Sequence, residues 1–306
     1  MRPLSPPPHG PSRRRLLTGA AGAAVLGAAA TTMGAPAAHA AGRTAADPIE
    51  VVLLPDEFTV PERVPSGLVT FHVSTPEAAG RSLLLVRLRE GATVDEFLEA
   101  LAGTNAQDPA EKAAAARRVT ATAENLGGAV VAAGTDASFT QLLGRGGYLL
   151  VNFGYSSAGS RPMVREIRAG APSGTPAPGV HACIAQVDDG EGTAFEVSPG
   201  RLPARGTYSV VNTTATPQEA MVARVREGTT AEDVRAYFDA LRNGEPPGDV
   251  PVLTRPVGLA PLAGDRWGLL HTEFEPGPYV LFSFTIDHDT GYAHALQGMF
   301  RMITLV

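Results

Sequence analysis

Residues 86–101, VRLREGATVDEFLEAL, are answered by residues 223–241, ARVREGTTAEDVRAYFDAL. Arg87-x-Arg89-Glu90-Gly91 matches Arg224-x-Arg226-Glu227-Gly228, and Thr93 matches Thr230. Each threonine precedes an apolar stripe at helical spacing: Val94, Phe97, Leu98 and Leu101 in the first stretch, and Val234, Tyr237, Phe238 and Leu241 in the second. Thr93 with Glu96 makes a capping-box pattern, Thr230 with Asp233 a weaker one, and Gly244 is placed to end the second helix. A chain that repeats itself must fold both copies into the same kind of unit, so this correspondence limits every reading of the segments around it.

Those segments read as β. LVTFHVST alternates Val69, Phe71 and Val73 against Thr70, His72 and Ser74, the pattern of a half-buried strand, and TYSVVNT at 207–213 is its counterpart. GGYLLVNF at 146–153 corresponds to PGPYVLFSF at 276–284, and PMVREI at 162–167 to GMFRMI at 298–303. Between the copies, RAGAPSGTPAPG has too few apolar residues to pack and reads as a linker. The expected organisation is a first domain at 44–168, a linker at 169–178 and a second domain at 179–306. The first copy also carries an Ala-rich helix that Asp108 and Pro109 should start, where the second has the Pro-rich EPPGDVPVLTRPVG. Many short strands, glycine turns and a helical insertion per copy predict a mostly β protein, two tandem β-sandwiches with helices at their sides.

The N-terminus reads as an address. Ser12-Arg13-Arg14-Arg15-Leu16-Leu17 matches a twin-arginine export signal, a soft Ala/Gly-rich stretch follows, and Ala38-His39-Ala40 offers a small-x-small cleavage pattern. Cleavage between Ala40 and Ala41 would remove residues 1–40, giving a secreted protein. Loss of Arg2, Arg13, Arg14 and Arg15 leaves 21 basic against 31 acidic residues. That balance argues against nucleic-acid binding, which needs clustered cations. No other apolar run approaches the length of a membrane span. Cys183 is the sole cysteine, which excludes an intrachain disulfide; its apolar strand context, VHACIAQV, reads as a buried structural thiol.

With these elements in place, the closing stretch DHDTGYAHALQGM, Asp287–Met299, gains a context. An alternating strand ending in Asn/Ser-Thr, a further strand, a helical excursion, a Pro-Gly-x-Tyr-x-Leu strand and a terminal His-x(4)-Met follow in order. This order resembles the cupredoxins, the Greek-key sandwich family of blue-copper proteins, over most of both copies and most closely from Tyr279 to Val306. The resemblance implies a site of two histidines, a cysteine and a methionine. It places the first histidine near Gln218 in the second copy and near Arg81 in the first, and the cysteine near Ser283 and near Asn152. None of these four is the ligand type expected. His294 and Met299 stand where the second histidine and the methionine belong, and in the first copy only Met163 remains. Gln218, Ser283, His294 and Met299 therefore read as vestigial copper-site positions, with no type-1 copper expected.

Other patterns offer little chemistry. Asp287, His288, Asp289 and His294 could supply nitrogen and oxygen donors to a divalent ion, but Asp-x-Asp-x-Gly also builds a turn. His72 and His271 fall on polar strand faces and are expected to be exposed. GYSSAG at 154–159 lacks the second glycine of a nucleophile elbow. No catalytic set emerges. The expectation is a non-enzymatic, copper-free tandem protein, secreted as an extracellular binding or scaffold module with no cofactor. Its partner, a protein or a cell-envelope component, is unknown. The alternative is a copper-handling or redox protein that uses His294 and Met299.

Overall fold

Two β-sheets stack face to face, and helices cover the outer side of one of them. The computed structural model describes residues 47–154, 162–172, 174–190 and 192–306. The stretch read as an export signal at 1–40, the expected cleavage positions Ala40 and Ala41, and most of GYSSAG lie outside these residues.

In the first half, β1 (Ile49–Val52) runs parallel to β2 (Arg63–Ser74), which pairs antiparallel with β5 (Ala137–Leu143). The chain crosses to the other layer for β3 (Arg81–Leu88), which lies between β4 (Ala123–Val131) and β6 (Gly146–Gly154). β7 (Met163–Pro172) closes beside β6 and returns parallel to the start of β2. It runs four residues past Arg168, into the stretch read as linker, because Pro172 still lies opposite Ser66.

The second half repeats these pairings. β8 (Ala182–Asp188) runs parallel to β10 (Arg205–Asn212), which pairs with β13 (Arg266–Glu273), while β11 (Gln218–Arg224) lies between β12 (Val257–Leu262) and β14 (Gly277–Phe282). β15 (Phe300–Leu305) closes beside β14 and bridges in parallel to Leu202, just ahead of β10. Among the described strands, only β9 (Thr193–Ser198), a hairpin partner of β8, has no counterpart. The sheets continue from one half into the other: β4 pairs with β12 in one layer, and β5 with β13 in the other. Each pairing covers backbone groups that would otherwise form an open edge.

Local chemistry accounts for the helices. α1 (Val94–Gly103) and α3 (Ala231–Asn243) both begin with a capping box. Glu96 Oε2 accepts the Thr93 N–H at 2.8 Å, and Asp233 Oδ2 accepts the Thr230 N–H at 2.8 Å. The box expected to be weaker is formed as fully as the other. α3 ends on Gly244 in the left-handed region at φ 69°, where a side chain would be strained. α2 (Pro109–Thr122) starts with Pro109 in its first turn and Asp108 accepting the Ala110 N–H at 2.7 Å. Tyr148 and Tyr279 sit at equivalent points of β6 and β14, each donating to a carbonyl four residues earlier, Gly144 and Glu275.

Two apolar layers hold these elements together. Between the sheets lie Val69, Phe71, Leu83, Leu85, Phe139 and Leu150 from the first half, joined by Ile184, Tyr208, Leu259 and Leu281 from the second. The second layer lies between the β3–β11 sheet and the helices, where Phe97, Ala100, Val119 and Val234 meet Leu84, Met221 and Val280. Phe238 of α3 meets the rings of Phe282, Phe284 and Phe300 at centroid distances of 5.5–5.9 Å. Among the described residues no helix is long and apolar enough to cross a membrane. Because Phe238 is 3 % exposed and Leu241 on the same helix is 37 % exposed, their truncation should differ sharply. In denaturant titrations Phe238→Ala is expected to lose about 3–5 kcal/mol of stability, and Leu241→Ala under about 1 kcal/mol.

Candidate functional site

The four positions singled out in the second half lie where the strands β11 and β14 meet the closing loop. Gln218, Ser283, His294 and Met299 are all buried, at 0, 0, 3 and 2 % exposure. Ser283 Oγ donates to Gln218 Oε1 at 2.9 Å, and Thr285 Oγ1 reaches the same oxygen at 3.0 Å. Gln218 Nε2 is held by Thr216 Oγ1 at 3.0 Å. The first half shows a matching pair. Arg81 Nε donates to Asn152 Oδ1 at 2.7 Å, and the Asn152 amide donates to the Leu54 carbonyl at 3.0 Å. Met163 lies opposite Asn152 across the β6–β7 ladder and is half-buried. In both halves, then, the two non-ligand residues hydrogen-bond each other.

His294 opens a short 3₁₀ turn, His294–Gln297. Its Nδ1 lies 3.0 Å from Thr193 Oγ1 and 3.9 Å from Asp287 Oδ2. Its Nε2 is buried with no hydrogen-bond partner. Burial holds the imidazole pKa down to about 4, although Asp287 opposes the shift. The ring is therefore neutral at ordinary pH, with one nitrogen unpaired.

The other residues of the closing loop point elsewhere. Asp287 Oδ1 accepts from the N–H groups of Asp289 and Thr290 at 2.9 and 2.7 Å, the turn chemistry of an Asx motif. Asp289 faces Arg117 at 3.6 Å, and His288 Nε2 faces Thr120 Oγ1 at 3.3 Å, both on α2 of the first half. Gly291, at φ 73°, lies so close to α2 that a Cβ there would fall 1.8 Å from the Pro109 carbonyl oxygen. The loop docks on the opposite half: Asp287 approaches His294, but His288 and Asp289 turn away to α2, so the four polar side chains do not converge on one point. Among the described residues, no three His, Cys, Asp or Glu side chains group as metal ligands. Type-1 copper takes two imidazoles and a thiolate in plane. The donors at this pole are one imidazole, one thioether, an amide and a hydroxyl, which do not fit that ion.

Cys183 and the strand histidines also find their places. Cys183 is half-buried on β8, facing Ser209 and Ser198 in register rather than sealed in the core. His271 is not the exposed residue expected from its polar strand face. Its Nε2 lies 2.7 Å from Thr140 Oγ1 and its Nδ1 3.0 Å from Thr207 Oγ1, so neighbouring strands from both halves enclose it. His72 is half-buried too, with Nδ1 2.8 Å from Ser138 Oγ.

Sequence reasoning missed Glu219. It lies at a β-bulge of β11, where the register to β12 shifts between Gln218 and Ala220. The bulge turns its side chain toward a cavity of about 860 Å³ beneath α1 and α2. The residue keeps some exposure as a whole, but protein surrounds its carboxyl. That burial pushes its pKa up to about 7, against the pull of the Phe284 N–H at 3.0 Å. Nothing in the spacing of Gln-Glu-Ala betrays a bulge.

The His294 shift makes a pH prediction. Its folded pKa of about 4 lies below the unfolded value of 6.5, so the unfolded chain takes the proton more readily. The stability that the neutral ring contributes is whole above about 6.5 and is lost as pH falls toward 4. In denaturation at pH 7 and pH 4.5, wild type is expected to lose up to about 3 kcal/mol more than His294→Gln. An unchanged difference between the two proteins would contradict the buried, neutral assignment.

No family model matches this sequence, and no curated protein matches it. Solved structures do. Auracyanin B is 18 % identical over 43 % of this chain and 91 % of its own, with a TM-score of 0.26. Auracyanin from Roseiflexus castenholzii is 21 % identical over 40 % of this chain and 94 % of its own, at 0.24. A multicopper oxidase from Aquifex aeolicus is 11 % identical over 83 % of this chain and 60 % of its own, at 0.25. These superpositions are loose, and the fold class rests on the strand pairing. The chain is a mostly β sandwich.

Proposed function

We propose that this is a secreted, non-enzymatic protein built by tandem duplication of a cupredoxin-like unit. On this reading it works outside the cell as a binding or scaffold module without type-1 copper. The observation that carries it is the pairing of the non-ligand residues. Where the resemblance puts a histidine and a cysteine, the second half has Gln218 and Ser283 hydrogen-bonded at 2.9 Å. The first half has Arg81 and Asn152 hydrogen-bonded at 2.7 Å. Amide, hydroxyl and guanidinium groups that satisfy one another are a settled buried network. Removing a metal by itself would leave unpaired ligands instead.

The duplication is supported by matched pairings and matched details: the two capping boxes, the two tyrosines of β6 and β14, and the two parallel returns of the closing strands. Export is supported by the twin-arginine motif and the cleavage pattern before Ala41.

A second reading is favoured by one atom. The buried, unpartnered Nε2 of His294 keeps a lone pair or N–H for another group, and Met299 follows in the same loop. Copper handling through these two residues would use it. Copper titration of the mature protein, followed by metal analysis and visible absorption, separates the readings. The copper-free reading expects no stoichiometric copper after dialysis and no visible band. Tight copper that is lost in His294→Ala would establish the second reading instead.

A further inference from the structure

Glu219 and Phe284 directly follow two of the vestigial positions, Gln218 and Ser283, and both line the cavity beneath α1 and α2. Its volume of about 860 Å³ falls within the range of pockets that enclose small molecules. Leu84, Leu98, Leu101, Val119 and the rings of Phe153 and Phe284 give it apolar walls drawn from both halves of the chain. The β-bulge of β11 sets the carboxyl of Glu219 into these walls. Its Oε2 accepts the Phe284 N–H at 3.0 Å, and among the described residues that is the only hydrogen bond to the carboxyl. When the group is neutral, Oε2 is thus the oxygen already occupied as an acceptor, and Oε1 carries the proton. The neutral carboxyl then has one O–H to give.

We propose that this cavity binds an uncharged, largely apolar small molecule whose carbonyl oxygen accepts a hydrogen bond from the protonated carboxyl of Glu219. The apolar walls take the body of the ligand, and burying that surface drives binding. The two phenylalanine rings favour an aromatic body. A charged ligand would have to leave water for the same apolar surroundings that already disfavour the Glu219 carboxylate. An uncharged ligand that displaces water from the carboxyl favours its neutral form further, so binding takes up a proton. The Glu219 pKa of about 7 in the free protein sets the window. Affinity is nearly whole at pH 6 and is about tenfold lower at pH 8, where the proton must first be supplied. The other ionisable groups among the described lining residues are Asp95 and Glu99 of α1 and His288 of the closing loop. Burial holds His288 below the ordinary imidazole range. Replacing Glu219 separates its titration from theirs.

This inference rests on the binding-module reading and deepens it by giving it a site and a ligand class. The two fail separately: copper uptake would overturn the copper-free reading, whereas the cavity is probed with a chelator present. The mature protein is titrated at pH 6 and pH 8 with Prodan, an uncharged naphthyl ketone, and followed by the fluorescence of the probe. Prodan is expected to shift to the blue on binding and to bind about ten times more tightly at pH 6. 2-Ethylnaphthalene, which lacks the carbonyl, should bind at least ten times more weakly at pH 6, measured by displacement of Prodan. Glu219→Gln keeps a donor that does not titrate, so it should bind Prodan equally at both pH values. Ala116→Leu adds bulk at a buried position of the lining and should weaken Prodan at least tenfold; it decides the matter with the wild-type pH dependence if Glu219→Gln does not fold. No Prodan binding, binding as tight or tighter at pH 8, or equal binding of the hydrocarbon would overturn the proposal. So would full binding by folded Ala116→Leu, or a pH dependence that persists in folded Glu219→Gln.

Discussion

A polar group taken out of water must find its hydrogen bonds inside the protein, at a cost of about 1–3 kcal/mol if it fails. The two poles of this sandwich are arranged around that requirement. Ser283 satisfies Gln218 in one half and Arg81 satisfies Asn152 in the other, each pair bridging strands of the same sheet. Asn212 extends the rule along the second half: its amide reaches the carbonyls of Thr216 and Leu262 at 2.8 Å, while its oxygen takes the Thr214 N–H at 2.9 Å. The atoms that escape the rule are few and are worth locating. Among the described residues they are His294 Nε2, in the closing loop, and Gln186 Oε1, on β8.

The sheets that cross from one half to the other position both regions. Pairing of β4 with β12 brings Asn125 of the first half alongside the strands that carry Pro261 and Glu219 of the second. The closing loop completes the arrangement from the opposite direction, resting Gly291 on Pro109 and setting Asp289 against Arg117. The cleft therefore exists only when both halves are folded. On the proposed reading, a duplicated unit gained in its first copy a helical hairpin, α1 with α2, which roofs a space the second copy borders.

Periodicity and caps made much of the fold legible in the sequence. The apolar stripes around Phe97 and Phe238 are local signals, and they lie in the helices they announced. The strand alternation at Val69, Phe71 and Val73 likewise predicts which face is buried. Side-chain satisfaction was not legible, because Arg81 with Asn152, or His271 with Thr140, are neighbours only after strands pair. The continuity of the sheets between the halves was hidden for the same reason: strand pairing is long-range, and a glycine-rich linker suggests separation. Glu219 escaped notice because a single extra residue in a strand reverses which side chain faces outward.

The central claim is that Gln218 and Ser283 occupy the places of a lost histidine and cysteine. Restoring them tests it most directly: the mature protein carrying Gln218→His and Ser283→Cys, shown to be folded by thermal unfolding, is titrated with copper(II) and followed by visible absorption. The account expects one copper per chain and an intense visible band from thiolate-to-copper charge transfer, both lost when His294→Ala is added. A folded double variant that takes up no copper, or takes it up without that band, would contradict it.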